Sequence, residues 1–176
     1  VHAVGLRDRT AVVMKAHHLA LIPALALAVS ACASTSGSGG GGGGGRVNGV
    51  FGSVNLQAGF TPDPYRVSVV AGGTYESARE LGTQCRGWTT GDGTYVLYYT
   101  AGQYPLTISA TSDTDTTLIV GLPGGGFLCD DDSGPGLNPQ VTINRPGSGG
   151  YAIWVATYSS GQMAPATLSI SEIGQR

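Results

Sequence analysis

From Gly52 onward, apolar and polar residues alternate in short runs separated by turn residues. In "PLTISAT", Leu106, Ile108 and Ala110 share one face, and Thr107, Ser109 and Thr111 the other. In "ATLSISE", Leu168 and Ile170 face one way, Ser169 and Ser171 the other. Such a period of two sets one side of a strand against a core and the other towards solvent. The pattern predicts strands near Gly52–Gln57, Tyr65–Ala71, Thr94–Thr100, Pro105–Thr111, Thr116–Leu122, Phe127–Cys129, Gln140–Asn144, Gly150–Thr157 and Ala166–Glu172. Glycine-rich turns punctuate them at Ala71, Gly91, Pro123 and Pro146, and "PGGG" after Leu122 predicts a hairpin. Only "ESARELG", Glu76–Gly82, has the look of a short helical turn. About nine short strands at this spacing predict an all-β fold, an antiparallel sandwich of jelly-roll type.

Composition separates this region from what precedes it. Thirty glycines and only 11% charged residues fit a turn-rich β protein. Without a Lys/Arg cluster, binding to nucleic acid through phosphate neutralisation is not expected. Residues 14–31 carry Met14, the positive Lys15, an apolar run from Leu19 to Val29 and then small residues, which is the order of a signal peptide. The run is too short to span a bilayer comfortably, and Pro23 interrupts it. Val29-Ser30-Ala31-Cys32 resembles a bacterial lipobox, which implies cleavage before Cys32 and lipid on its thiol. The alternative is an ordinary secretory signal with an incidental cysteine. Residues 1–13 read as an over-extended start. Residues 32–45 read as a tether, since a glycine run has nothing to bury and much backbone entropy to lose. About 14 such residues reach ~20 Å, which lets the domain, residues 46–176, swing close to a membrane. The expected address is the bacterial cell envelope, anchored at the outer membrane, because no Asp follows the cysteine as an inner-membrane retention signal.

Cysteine and histidine usage then constrain the chemistry. With Cys32 lipidated, Cys85 and Cys129 are left as a pair in an oxidising compartment. Their bridge would stabilise by roughly 4 kcal/mol through loop-closure entropy; the alternative is two buried free thiols. His2, His17 and His18 all precede Cys32, and so does Lys15, the only lysine. The expected mature chain therefore has no Ser-His-Asp or Cys-His arrangement, no Ser-Lys dyad and no histidine-ligated zinc. Catalysis would fall to carboxylates such as Glu76, Glu80 or Asp92, as in a glycan hydrolase. We expect no enzyme activity and no catalytic residue.

Two stretches carry candidate binding chemistry. Folding the hairpin at "PGGG" brings Asp113 and Asp115, before its first strand, towards Asp130, Asp131 and Asp132, after its second. Such acids supply calcium ligands, or serve as Asx-turns with Arg66 or Arg145 as counter-charge. Both readings stand; calcium is the only cofactor the sequence suggests. Trp154, on the opposite side of its strand from Ile153 and Val155, and Tyr158 are candidates for an aromatic platform. The alternative covers this face and makes Trp154 a core residue. Trp88, in "CRGWTTGDG", is expected in a loop, either on the ligand surface or packed on the disulfide.

The run "SDTDTTLIVGLPGGGFLCDDDSGPGLNPQVTI" followed by "SGGYAIWVATYSSGQMAPATLSIS" resembles the bacterial pre-peptidase C-terminal domain. The shared features are an Asp-x-Asp-Thr strand entry, a hairpin, a "DDDSG" loop, a Gly-Tyr-x-Ile-x-Val strand and a closing strand. The resemblance spans roughly Tyr65 to Glu172 and implies a β-sandwich, usually appended to secreted peptidases as a non-catalytic module. Some members bind calcium or extracellular polymer. No peptidase domain is expected beside the sandwich, and glycine stands where calcium-binding members place acids ahead of it. The combined expectation is a lipid-anchored, non-catalytic envelope module that binds an extracellular polysaccharide or a protein. A carboxylate-based glycan hydrolase and a purely structural lipoprotein without a ligand are the alternatives.

Overall fold

The computed structural model describes residues 49–174. The signal segment, Cys32 and the glycine tether lie outside them. The described strands are β1 (Ser53–Gln57), β2 (Tyr65–Gly72), β3 (Tyr75–Glu76), β4 (Trp88–Thr89), β5 (Tyr95–Thr100), β6 (Leu106–Thr111), β7 (Thr116–Gly121), β8 (Phe127–Asp130), β9 (Gln140–Ile143), β10 (Gly149–Thr157) and β11 (Met163–Ser171). One helical turn, α1 (Ala78–Leu81), falls inside "ESARELG" as the sequence predicts. The architecture is a β-sandwich. A four-stranded antiparallel sheet runs β2-β11-β6-β9. The seven-stranded sheet is built around β10, which pairs with β5 over Gly149–Ile153 and with β7 over Ala152–Thr157. Outside these lie β1 and β8, while β4 and β3 extend the sheet from Thr157.

Alternation explains the core. Ile108, Leu168 and Ile170 of the smaller sheet face Leu97, Leu118, Val120, Ile153 and Val155 of the larger, all fully buried. Burying each such side chain is worth about 1.5–3 kcal/mol, which fixes which face of every strand points inward. The intervening Thr107, Ser109, Ser169 and Ser171, expected on the solvent side, lie on the face away from this core and are nevertheless buried. Just past the end of β11 the backbone N–H of Gly59 (2.6 Å) and the Tyr99 hydroxyl donate to the buried carboxylate of Glu172, while Asp63 Oδ2 accepts the Glu172 N–H. This network ties the β1–β2 connection to the end of β11.

Three expectations need correction. Eleven strands form among the described residues where nine were predicted, because β3 and β4 are two residues long and too short to show a period. Trp88, expected in a loop, sits in β4 opposite Thr157. The β1–β5 pair is parallel, not antiparallel, because the chain leaves after β1 to lay down β2 in the other sheet before returning.

Candidate functional site

The site is the outer face of the seven-stranded sheet, away from the core. Residues that alternate inward on β10 (Tyr151, Ile153, Val155) leave Trp154 on this outer side, half-buried. Trp154 stands opposite Ile119 of β7, and Ile119 stands opposite Cys129 of β8. Two residues along, Gly121 separates Ala152 from Phe127. Gly121 has no side chain, so the rings of Phe127 and Trp154 meet above it, with centroids 6.1 Å apart; a Cβ there would touch both.

A segment from β3 through α1 to β4 lies across this face. Its first anchor is the Cys85–Cys129 disulfide, with Cα atoms 5.1 Å apart. Its second is close backbone approach at Gly87. A Cβ at Gly87 would fall 2.2 Å from Thr117 Oγ1, and the backbone φ of +126° favours glycine. Thr117 Oγ1 in turn donates to the Arg86 carbonyl at 2.7 Å. Ser77 completes the fastening: its N–H donates to the Gly87 carbonyl (3.0 Å), and its hydroxyl reaches the carbonyls of Cys85 (2.6 Å) and Gly87 (2.9 Å). The cover buries Ile119 and Cys85 and stops short of Trp154. What remains is a hollow of about 150 Å³ with Ile119 and Thr89 beneath and Tyr75, Phe127 and Trp154 around it. Glu80 stands at its edge. The Tyr75 phenol is held above its ordinary pKa by desolvation, then by the charge of Glu80 and a hydrogen bond to it.

A second hollow, of about 310 Å³, lies beyond the cover and is lined by Trp88, Tyr158, Arg86 and Glu76. Here Arg86 Nη1 donates to the Tyr158 hydroxyl at 3.0 Å, and the guanidinium stands 5.7 Å from the ring centroid. Trp154, Trp88 and Tyr158 therefore do not form one platform: the first lines one hollow and the other two line the second.

The aspartates divide by role. Asp130 Oδ2 accepts the N–H groups of Ser133 (2.9 Å) and Gln140 (2.8 Å), and its other oxygen accepts the Ser133 hydroxyl. That is turn chemistry, with the carboxylate holding the "DDDSG" loop to the start of β9. Asp131 lies 3.9 Å from Arg86. The counter-charge is thus Arg86, where the sequence suggested Arg66 or Arg145. The Asp115 carboxyl is pushed above the usual carboxylate range by desolvation, then by the charges of Asp132 and Asp131. Asp113 is exposed. Among the described residues no three His, Cys, Asp or Glu side chains group so as to hold a metal ion.

No protein-family model matches the chain, and no curated protein matches it. Among solved structures it is similar to Aeromonas hydrophila PliG, a periplasmic inhibitor of g-type lysozyme. Identity is 16% and the TM-score 0.39, over 68% of this chain and 96% of that one. It is also similar to the pre-peptidase C-terminal domain of a collagenase from Bacillus anthracis. There identity is 13% and the TM-score 0.42, over 72% of this chain and 99% of that one. The second is a domain of the family that the sequence motifs resemble.

Sequence reasoning missed Tyr75, Phe127 and the part Glu80 plays. A signal for Phe127 was present: it shares strand parity with Cys129, so whatever covers the cysteine must approach the phenylalanine too. Residues 49–174 contain no histidine and no lysine. Of the carboxylates weighed for hydrolysis, Glu76 accepts a hydrogen bond from Arg79, and Glu80 faces Tyr75 at the hollow's edge.

Proposed function

We propose that this chain is a lipid-anchored, non-catalytic envelope module whose sandwich binds an extracellular polymer or protein through the outer face around Trp154. The observation that carries the reading is the hollow itself. Three aromatic side chains and Ile119 gather on the side of the sheet away from the core, while its other side packs on the second sheet. Apolar aromatic surface left open is costly unless a ligand covers it. The absence of histidine and lysine from residues 49–174 supports a binding role over catalysis, since general acid–base work there would fall to carboxylates and tyrosines alone. The lipobox-like Val29–Cys32 and the glycine tether support anchoring with a reach of ~20 Å.

Co-sedimentation of the full chain with insoluble envelope material tests the binding half. Wild type should be retained, and Trp154→Ala should lose at least about tenfold of that retention, as removal of a buried aromatic anchor does. Equal retention of the two would overturn the reading. The anchoring half is tested separately. Cys32→Ala should shift the protein from the membrane to the soluble fraction, because multiple acyl chains hold a protein where one holds it only marginally.

A further inference from the structure

We propose that the hollow at Trp154 receives a primary alkylammonium group, the tip of a lysine-like chain, held over the aromatic rings with Glu80 as its counter-charge. The inference rests on the binding role proposed above and names the chemical group that the site takes. Four observations carry it. First, the walls are aromatic: Phe127 and Trp154, tilted at 56° to one another, line the hollow together with Tyr75. Tilted aromatic rings present negative faces to a guest, and a cation gains most from them when the site excludes water. Second, the only charged side chain at the hollow is an acid. Glu80 belongs to neither of the two ion pairs among the described residues, Arg79–Glu76 and Arg86–Asp131. Third, Thr89 beneath the hollow is 2% exposed, and its Oγ1 is buried without a hydrogen-bond partner. A buried orphan hydroxyl is unfavourable, and a guest whose N–H groups reach it on a small shift of the Thr89 side chain supplies the missing partner where a quaternary ammonium cannot. Fourth, size fits: a cavity near 150 Å³ takes a benzene-sized guest, close to a four-carbon amine. The described residues carry ten carboxylates against four arginines, so the long-range field also favours a cation.

The test uses the full chain and n-butylammonium, with 1-butanol as the neutral match and sodium chloride held constant. The readout is the indole N–H resonance of Trp154. Butylammonium should bind saturably and at least about tenfold more tightly than butanol. Glu80→Gln should weaken it severalfold, and Trp154→Ala should abolish it as read by calorimetry. Nα-acetyl-lysine methylamide, run alongside, separates sources. Binding as tight as butylammonium assigns the group to a polypeptide or peptide bridge, and much weaker binding assigns it to a free amine. Equal binding of butanol, or no effect of Glu80→Gln, would overturn the cation assignment. So would the absence of saturable binding. Co-sedimentation with envelope material keeps this failure distinct from that of the binding role. If retention still depends on Trp154 while butylammonium does not bind, the cation falls and the binding role stands.

Discussion

The two faces of the seven-stranded sheet are made by the same strands and solve burial differently. Inward, Leu118, Val120, Ile153 and Val155 meet a second sheet whose side chains interdigitate with theirs, and nothing is left exposed. Outward, Ile119, Phe127 and Trp154 meet only the short β3–α1–β4 segment. A sheet can fill the space above another sheet, whereas an irregular strip covers a narrow band. The strip is held by a disulfide, a glycine that permits close approach and a few hydrogen bonds. The inner face should therefore govern stability and the outer face binding.

Substitutions that separate the faces give the largest effects. Ile153→Ala should cost about 2–5 kcal/mol in denaturant unfolding, since it opens a cavity in close-packed surroundings. Trp154→Ala, one residue away, should cost clearly less because its ring is only half-buried. Equal losses would erase the distinction between the faces. Next, replacing Cys85 and Cys129 together by Ser should lower stability by about 2–4 kcal/mol. Because the bridge ties down the strip, amide exchange should rise most across residues 75–89 and least in β7 and β10. A uniform rise would show that the strip is not a separate layer.

Smaller effects sharpen the role of the acidic loop beside the strip. Asp130→Ala should cost ~0.5–2 kcal/mol by analogy with lost caps, while Asp130→Asn should be nearly neutral, since Asn makes the same turn bonds. Melting curves with millimolar calcium and with chelator should coincide if the loop does turn chemistry alone. A rise that Asp130→Asn abolishes would establish a cation site. The smallest effect concerns Asp115, one of whose oxygens is buried without a partner. Its raised pKa means that the folded state holds the proton more tightly than the unfolded state. The resulting penalty is full above the folded pKa and relieved as pH falls towards the unfolded value. Asp115→Asn should thus stabilise at neutral pH by less than about 1 kcal/mol, given the group's exposure to solvent. It should also flatten the part of the pH dependence in urea titrations that Asp115 contributes on the acid side.

Most of the sandwich was legible in sequence because period-two alternation encodes which face of a strand is buried. The turn at "PGGG" fixed the β7–β8 hairpin, and from it the approach of Asp115 to the "DDDSG" loop followed. The outer face was half legible. Parity put Trp154 on the side away from Ile153, but what covers that side depends on a long-range crossing with no local period. Trp88 was misplaced for the same reason: a two-residue strand is defined by its partner, Thr157, and not by its own neighbours. Arg86 as the counter-charge to Asp131 depends on the disulfide bringing a distant segment over β8, which the spacing of arginines cannot show.

The two tryptophans give the most direct test, because Trp154 lines the hollow on the outer face and Trp88 does not. With indole nitrogens labelled in the full chain, solubilised envelope fragments should shift and broaden the Trp154 N–H resonance saturably. Trp88, beside the second hollow, should move little. A shift confined to Trp88, or no saturable change at Trp154, would contradict the assignment of binding to the outer face at Trp154.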